Sequence, residues 1–396
     1  SFSGPGAFAA NGSSPVIWLD ADCTIPILDL ESASALDGPG NLTVTQLMTA
    51  VSTTVRGSGL MNIAAGATFN ATNATYSNLG RDVNNSGEAR VSSTLSATRA
   101  LFWNNLPGSS LALYGPNAGL DMNYSGAPPS LLNSGSVSNA TVNSPNLNWG
   151  FTNAAMLQCN PFGITFKQPY MQTAGNTLVT AGSVLSFSKN ARILGGTVNG
   201  TGAIEGNVFN AATLHPGGSP GILTLNGNFT NASAGVFAVD IAGPAPGTGY
   251  SRLSSAFGQL SFDGALHVNF VNGFVPSPGD IYTIAASTNG ARVGAFSALQ
   301  GLHAPNGLVL VPVYGPTNVS LVAASEPAMT GVSHAGSTAS FEFQSTAGLT
   351  NVVEYTTNLN PPSWITLTTI PGDGSLKTVL DPSATNATRF YRVRFR

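Results

Sequence analysis

The feature that most constrains this fold is a short motif that recurs along the chain: an apolar residue, usually one spacer, an asparagine and two small residues. The intervals between successive motif asparagines are 48, 20, 57 and 21 residues, which fit one, two or three turns of a coil of roughly 19–24 residues. Asparagine tolerates the left-handed conformation of a corner, and stacked asparagine side chains can hydrogen-bond along a ladder. The spacing therefore predicts a solenoid with asparagine at one repeated position. The motif occurs as VNNSG (Asn85), LLNSG (Asn133), FTNAA (Asn153), VFNAA (Asn210) and FTNAS (Asn231).

The rest of the chain has the pattern of short β-strands. Runs such as TFNATNATYSN, GNTLVTAGSVLSF, GILTLNGNF and GALHVNFVNGF often alternate apolar and polar residues and are broken by Gly, Asn and Pro. The best helix candidate, NLTVTQLMTAVSTTV, is rich in Thr and Val, which disfavour helices. The sequence therefore predicts an all-β protein.

Composition excludes several classes of partner. Charged residues make up 8% of the chain, against about 25% in ordinary soluble domains, and the net charge is −3. Such a chain has no strong field for gathering nucleic acid or anionic lipid, so we predict no nucleic-acid partner. No apolar run approaches the ~20 residues of a membrane span, so we predict no such span. The apolar content of 42% is nevertheless enough for a real core.

Several segments are similar to repeats of known secreted proteins. GSGLMNIAAGATF followed by GRDVNNSGEARV, and YMQTAGNTLVTAGSVLSF followed by GGTVNGTGAIEGNVFNAATLHPGGSPGILTLNGNF, resemble the autotransporter-passenger-type β-strand repeats of surface proteins from Verrucomicrobia, Planctomycetes and related bacteria. The resemblance covers roughly residues 35–325, and its most specific piece is PGGSPGILTLNGNF. It implies an extracellular, right-handed parallel β-helix with Gly and Pro at the corners. It implies no single activity.

The pattern divides the chain into three parts. Residues 1–34 precede the recognisable repeats and are predicted to be a capping or exchanged strand segment. Residues 35–325 are the predicted solenoid, whose last part, about 236–325, could form a β-rich cap. After about Glu326, the runs SFEFQST, NVVEYTTN, WITLTTI, LKTVL and RFYRVRFR predict a small antiparallel β-sandwich over residues 326–396. NLNPPSWITLTT with the terminal RFYRVRFR resembles the small Ig-like or fibronectin-like modules that close many secreted proteins of the same bacteria.

The terminal run RFYRVRFR alternates apolar and charged side chains from Tyr391 onwards. Side chains alternate between the two faces of a strand, so one face packs and the other carries charge. The charged face either protects an edge strand from pairing or docks an acidic partner or glycan. The packed side chains are Tyr391, Val393 and Phe395, and the charged ones are Arg392, Arg394 and Arg396.

One short run, GGSPG, matches the G-x-S-x-G pattern of serine hydrolases, with Ser219 as the nucleophile. In that motif the residue after the serine donates its backbone N–H to the oxyanion hole, but here it is Pro220, which has none. The following LTLNGNF also indicates a strand rather than the helix that the motif needs. We therefore interpret GGSPG as a solenoid corner and His215 as a solvated corner residue, and predict no catalytic residue.

No other segment predicts a catalytic, cofactor or metal site. The four histidines, His215, His267, His303 and His334, are isolated in the sequence and have no metal-ligand spacing. Asp20 and Asp22 in WLDADC would share a face if this segment were a strand, and Asp29 and Glu31 follow nearby. Paired acids can cleave glycosidic bonds, but the other acids are scattered singly. We interpret these four as surface acids.

The two cysteines, Cys23 and Cys159, are 136 residues apart, or about six turns of the predicted solenoid. Stacked strands lie ~4.8 Å apart, so six turns separate them by roughly 29 Å, whereas a disulfide needs Cα atoms within ~7 Å. We therefore predict two buried free thiols, with an intermolecular bridge as the alternative.

The open ends of a solenoid indicate the function. Each end exposes unpaired backbone groups and a cross-section of apolar core. The N-terminal SFSGPGAFAANGSSPVIWL is apolar, so it could cap its own solenoid or add as a strand to another copy. A head-to-tail contact that does not close makes a filament. The sequence therefore favours a non-enzymatic structural subunit of an extracellular, self-assembling filament or surface coat.

Two alternative functions remain open, and the sequence also predicts where the protein is located. A glycan-binding adhesin would need exposed aromatic rows, for which Trp103, Tyr114 and Trp149 are the candidates. A polysaccharide lyase or hydrolase would need a cluster of acids with arginine in one groove. The chain begins at Ser1 without a Met, as expected if a secretory signal is already removed. The predicted location is extracellular or at the cell surface.

Overall fold

In a computed structural model the fold prediction is confirmed: the chain forms a parallel β-solenoid of about 11 turns, followed by two small antiparallel sheets. The structure describes residues 6–10, 14–31, 33–72, 76–140, 143–385 and 388–395. These residues form strands, turns and loops and contain no helix. No helix capable of crossing a membrane therefore occurs in the described ranges.

Each turn contributes three short strands, and equivalent strands of successive turns pair in parallel to give a first, a second and a third ladder. The first and second ladders belong to one sheet of 25 strands, and Cys23–Leu30 and Leu42–Val51 run through both of them. The third ladder belongs to a separate sheet of 15 strands.

After Cys23–Leu30 and Leu42–Val51, the first ladder consists of Met61–Ile63, Val83–Asn85, Phe102–Asn105, Ser130–Asn133, Gly150–Asn153, Tyr170–Gln172, Ala191–Ile193, Val208–Asn210, Phe229–Asn231, Leu260–Phe262 and Arg292–Gly294. The second ladder starts with Ala7–Ala10, passes through the same two long strands and continues with Thr68–Thr72, Glu88–Val91, Ser110–Leu113, Ser136–Asn139, Met156–Cys159, Asn176–Val179, Thr197–Gly200, Thr213–Pro216, Val236–Ile241, Ala265–Phe270 and Ala298–Gln300. The third ladder consists of Val16–Trp18, Ala35–Asp37, Thr54–Val55, Tyr76–Leu79, Thr94–Ala97, Gly119–Met122, Asn146–Leu147, Ile164–Phe166, Val184–Phe187, Ala203–Glu205, Ile222–Asn226, Arg252–Ser255 and Ile281–Ser287.

Alternation along these strands builds the core. In Ser110–Leu113, for example, Leu111 and Leu113 are buried, whereas Ser110 and Ala112 are half-buried at the surface. Because pairing is parallel and in register, inward side chains of successive turns stack into one continuous apolar column. The rings of Phe69, Trp103 and Trp149 lie in this column, with centroids 6.1 and 6.3 Å apart.

The motif asparagines lie at one repeated position, the last residue of their first-ladder strands. The 48-residue interval from Asn85 to Asn133 spans two turns, because Asn105 occupies the same position in the turn between them. The 57-residue interval from Asn153 to Asn210 spans three turns, because Gln172 and Ile193 occupy this position in the two turns between them. All five are buried, and their amides bond from turn to turn. The distances are 2.8 Å from Asn133 Nδ2 to Asn153 Oδ1 and 2.7 Å from Asn210 Nδ2 to Asn231 Oδ1. The predicted asparagine ladder is confirmed.

A buried arginine fastens the first corners together. Arg81 is fully buried and donates Nε to the carbonyl of Arg56, Nη1 to that of Gly40 and Nη2 to that of Gly38, over 2.6, 2.7 and 2.7 Å. The corner must be glycine at Gly57, because φ is +107° and a Cβ would lie 2.3 Å from the carbonyl oxygen of Gly38. One side chain thus satisfies carbonyls from separate turns.

The N-terminal segment takes part in the stack. Ala7–Ala10 pairs with Ile27–Leu30, and Val16–Trp18 pairs with Ala35–Asp37, both in parallel. Residues 1–34, which the sequence sets apart as a cap or exchanged strand, therefore include strands that form the first rungs of the second and third ladders within the same chain.

Parallel stacking stops near residue 300. Ile281–Ser287 pairs in parallel with Arg252–Ser255 but antiparallel with Asn318–Ala324, which pairs in turn with Val309–Tyr314. This hairpin ends the third ladder. Its residues Val311 and Val322 pack against Leu349 of the C-terminal region.

The C-terminal region contains two three-stranded antiparallel sheets that share the core residues Phe341, Phe343, Val353 and Val379. The five predicted strands are present, and a sixth, Met329–Ala335, precedes them. The sequence does not predict this strand, because its mostly exposed residues show no apolar alternation. The six strands are Met329–Ala335, Thr338–Gln344, Thr350–Thr356, Ile365–Pro371, Leu376–Asp381 and Phe390–Phe395.

Candidate functional site

The two ends of the second ladder are the surfaces at which the repeat stops. Ala7–Ala10 pairs with Ile27–Leu30, and Ala298–Gln300 pairs with Ala265–His267. Within the part of the chain that the structure describes, these are the first and last strands of the parallel stack. The ladder is parallel throughout, so the first strand has the direction needed to continue from the last.

The first strands at the N-terminal end carry no ionisable side chain. Residues 6–19 contain no ionisable side chain, although natural edge strands are commonly protected by charge. In the third ladder, Val16 and Trp18 are 54% and 58% exposed. In the second, Phe8 stacks in register on the buried Leu28 and is itself half-buried. This end of the stack therefore presents apolar side chains.

The C-terminal end exposes the core column in the same way. Leu299 pairs in register with the buried Leu266 but is itself 46% exposed. A groove of about 460 Å³ adjoins it, lined in part by Leu302, Val311 and Phe395. The last rung of the second ladder thus lies beside an apolar recess.

The residues of the GGSPG corner do come together, but not in the arrangement of a hydrolase. His215 Nε2 lies 2.8 Å from Asp240 Oδ2, Asn269 Nδ2 donates to Asp240 Oδ1 over 3.0 Å, and the Ser219 hydroxyl also donates to Asp240. Burial raises the pKa of Asp240, but these hydrogen bonds and the His215 charge outweigh it and lower the pKa to about 2. In a catalytic triad the serine bonds the histidine. Here both bond the carboxylate, so His215 is not placed as a base for Ser219.

The interpretation of His215 as a solvated corner residue is wrong. Its side chain is only 24% exposed and its partner is 4% exposed. Because Thr213–Pro216 and Val236–Ile241 pair in register, His215 lies beside a carboxylate from the next turn. Sequence reasoning missed Asp240 because only the pairing register relates two residues in neighbouring turns.

The four N-terminal acids do not form a pair on one strand face, and one of them, Asp22, links neighbouring turns. The strand on which a shared face of Asp20 and Asp22 depends is absent, because residues 19–22 form the connection between two strands. Asp20 accepts the indole N–H of Trp18 over 2.6 Å. Asp22 accepts the backbone and side-chain N–H groups of Asn41 over 3.0 and 3.1 Å, and these bonds lower its pKa. Asp29 lies in the strand Cys23–Leu30 and Glu31 follows it.

The remaining candidates for metal or catalytic chemistry stay apart. Across the described ranges no group of three or more His, Cys, Asp or Glu side chains could hold a metal ion. Nε2 of His334 lies 3.2 Å from the Ala384 carbonyl. His267 and His303 belong to different parts of the last turns.

The prediction of exposed aromatic side chains is wrong for two of its three candidates. Trp103 and Trp149 are 0% and 1% exposed and belong to the core column. Trp103 points inward because it lies two residues before the buried Asn105 and so shares its face. Tyr114 is 38% exposed and remains at the surface.

The two cysteines are free, as predicted. Cys159 is buried and Cys23 is half-buried. They lie in different turns, and the stacked position of Cys23 is occupied in the intervening turns by Leu42, Met61, Val83, Trp103 and Leu131.

Much of the positive charge on the terminal strand is neutralised. Arg392 Nε and Arg394 Nη2 lie 2.7 and 3.0 Å from the carboxylate of Glu354, which is 6% exposed. Arg392 also lies over the ring of Trp364. Arg396 lies outside the described residues. This contact favours an edge strand with internally paired charges over a docking face.

No protein-family model matches this chain, and no curated protein matches its sequence. The functional argument therefore rests on the geometry of the chain itself.

Proposed function

We propose that this chain is a structural subunit that polymerises head to tail into an extracellular filament or surface coat. The observation that carries the proposal is the second ladder, a parallel stack that begins at Ala7–Ala10 and ends at Ala298–Gln300, where the core residue Leu299 is 46% exposed. In the polymer, Ala7–Ala10 of one copy pairs in parallel with Ala298–Gln300 of the next.

The apolar side chains at both ends support the same contact. Leu299 is stacked on the buried Leu266 and lacks the covering residue that every interior rung has. Phe8 of the incoming copy is in position to supply that cover, because it faces the interior of its own ladder. Burying such surface contributes about 25 cal/mol per Å². The two ends differ, so the contact is heterologous and an open chain of copies results.

The interior of the solenoid suits a rigid rod. Buried amides link successive turns from Asn85 to Gln172, and Arg81 links the first corners. Such buried and satisfied polar networks favour one rigid arrangement. The extracellular part of the proposal rests on the resemblance of residues 35–325 to the repeats of bacterial surface proteins.

A charge at the end of the core column tests the proposal. Leu299→Lys places an ammonium group where the next copy would dock, and we expect filaments of the wild-type chain in negative-stain electron microscopy to be lost. Leu194→Lys is the matched control, because Leu194 is 39% exposed on the side of the solenoid and should leave filaments intact. Equal behaviour of the two variants, or monodisperse rods from the wild-type chain, would overturn the proposal.

A further inference from the structure

A polar groove lies on the side of the solenoid, away from both ends. It has a volume of about 880 Å³ and lies over the third ladder, across the turns that contain Thr94, Gly119, Asn146 and Lys167. Its lining is mainly amide, hydroxyl and backbone groups, in contrast to the apolar groove beside Leu299.

A missing side chain creates the groove. Thr94, Gly119, Asn146 and Thr165 occupy the same outward position in successive turns. Each of the others presents a polar side chain, but Gly119 has none and leaves a notch between its neighbours. A Cβ at Gly119 would lie 3.1 Å from the backbone oxygen of Asn146, so the floor of the notch is backbone.

Hydrogen bonds fix the wall of the notch. Asp121 Oδ1 accepts the Met122 backbone N–H over 2.8 Å and the Asn148 side-chain amide over 3.1 Å. Asn148 Oδ1 in turn accepts the amide of Gln168 over 3.0 Å. On the rim, the Asn143 amide donates to the Pro116 carbonyl over 3.2 Å. The wall is therefore formed before any ligand arrives, which lowers the entropy cost of binding.

Oδ2 of Asp121, the side-chain amide of Asn146 and the ammonium group of Lys167 are among the polar groups of this groove that have no hydrogen-bond partner in the described residues. All three residues are exposed. Together they offer an anionic acceptor, a neutral group that both donates and accepts, and a cationic donor. This set matches a ligand with many hydroxyl groups and a negative charge near Lys167.

Other ligand classes fit less well. An apolar ligand would leave these polar groups desolvated and unpaired, at a cost for each. A nucleic acid needs several cations to neutralise its phosphates, and the lining of the groove contains one lysine and one aspartate. A hard cation such as Ca²⁺ takes six to eight oxygen ligands, usually with more than one carboxylate. We propose that this groove binds an oligosaccharide that contains an acidic sugar, with the sugar carboxylate at Lys167 and its hydroxyl groups at Asp121 and Asn146.

This binding does not rest on polymerisation, because the groove lies within one chain. A polymer would nevertheless repeat the groove along its length, so a weak single site would give strong attachment to a polysaccharide by multivalency.

Titration calorimetry on the full chain tests the proposal, with tetramannuronate as the acidic probe and cellotetraose as the neutral one. We expect tetramannuronate to bind with a Kd in the millimolar range or below. Lys167→Gln should weaken this binding roughly tenfold, because it removes the charge-assisted hydrogen bond. Lys189→Gln is the matched control, since Lys189 is an exposed lysine one turn further along that does not line the groove, and it should change the Kd much less than Lys167→Gln does.

Two further variants complete the test. Gly119→Thr fills the notch and should abolish binding, and Asn146→Ala, which removes an exposed amide and leaves the fold intact, should weaken it. Absence of heat with both sugars, or equal weakening by Lys167→Gln and Lys189→Gln, would overturn the proposal. Equal affinity for the two sugars would overturn the role of Lys167.

Discussion

Asn133 donates its side-chain amide to Oδ1 of Asn153, one turn further along the solenoid, over 2.8 Å. The same amide donates to the Met156 carbonyl over 2.8 Å, and Oδ1 of Asn133 accepts the amide of Asn105 over 2.9 Å. One buried side chain thus holds three successive turns. The repeat of the sequence and the stability of the rod have the same physical origin at this position.

Replacing Asn133 with alanine should lower the free energy of unfolding by about 2–4 kcal/mol, because it opens a cavity and leaves buried groups of Asn105 and Asn153 unpaired. Urea unfolding followed by circular dichroism measures the change. Asn104→Ala is the matched control, since Asn104 lies in the adjacent first-ladder strand with its amide half-buried at the surface. A loss for Asn104→Ala as large as that for Asn133→Ala would refute the importance of the buried ladder.

Arg81→Lys should destabilise the N-terminal turns although it keeps the charge. A lysine ammonium group cannot reach the three carbonyls that the planar guanidinium joins, so buried oxygens lose their donors, at a cost of about 2 kcal/mol or more. Hydrogen exchange over residues 36–60 should rise. Arg90→Lys, at an exposed arginine paired with Glu88, should leave exchange unchanged, and a similar rise there would contradict the role of Arg81.

Asp240 should make the free energy of unfolding depend on pH in the acid range. Hydrogen bonds from His215, Ser219 and Asn269 overcome the effect of burial and hold the pKa of Asp240 at about 2, below its ordinary value of 3.8. Because the folded pKa is depressed, this contribution, about 2 kcal/mol, is fully present above about pH 4 and is lost as the pH falls towards 2. The free energy of unfolding of Asp240→Asn should therefore vary less over this range than that of the wild-type chain. Glu205→Gln, at an exposed carboxyl group, should keep the wild-type dependence.

The two thiols should differ in reactivity. Burial raises the pKa of Cys159 to about 11, whereas Cys23 is half-buried, and the thiolate is the form that reacts. At pH 8 a disulfide reagent should label Cys23 in the native chain and Cys159 only after unfolding. Cys23→Ser should remove all native labelling. Native labelling that persists in Cys23→Ser, or the absence of free thiols in the unfolded chain, would contradict the assignment.

The solenoid could be predicted because its strongest constraint is visible in the sequence. A buried ladder position accepts few residue types, so Asn85, Asn133 and Asn153 recur at multiples of one turn. The motif does not identify Asn105 as a ladder residue, because Leu106 stands where the motif has its first small residue. It does not identify Gln172 either, because the motif requires asparagine and this amide is glutamine. Recognising Asn105 would have placed Trp103 on the inward face, two residues before it.

The functional surfaces could not be derived in the same way. The contact of His215 with Asp240, the notch at Gly119 and the end of the ladder at Ala298–Gln300 all depend on how strands of neighbouring turns are aligned. Turn length varies along the chain, from 17 residues between Ile193 and Asn210 to 32 between Leu260 and Arg292. Single-sequence periodicity therefore gives the kind of fold but not the partners of a given side chain.

Diffraction from aligned filaments tests the central claim most directly, because head-to-tail copies would align every ladder with the filament axis. The wild-type chain should give a meridional reflection at about 4.8 Å, the spacing of stacked strands, and a chain lacking residues 1–19 should form no filaments. A wild-type chain that stays monomeric, or filaments whose 4.8 Å reflection lies across the axis, would contradict the proposal that the solenoids continue end to end.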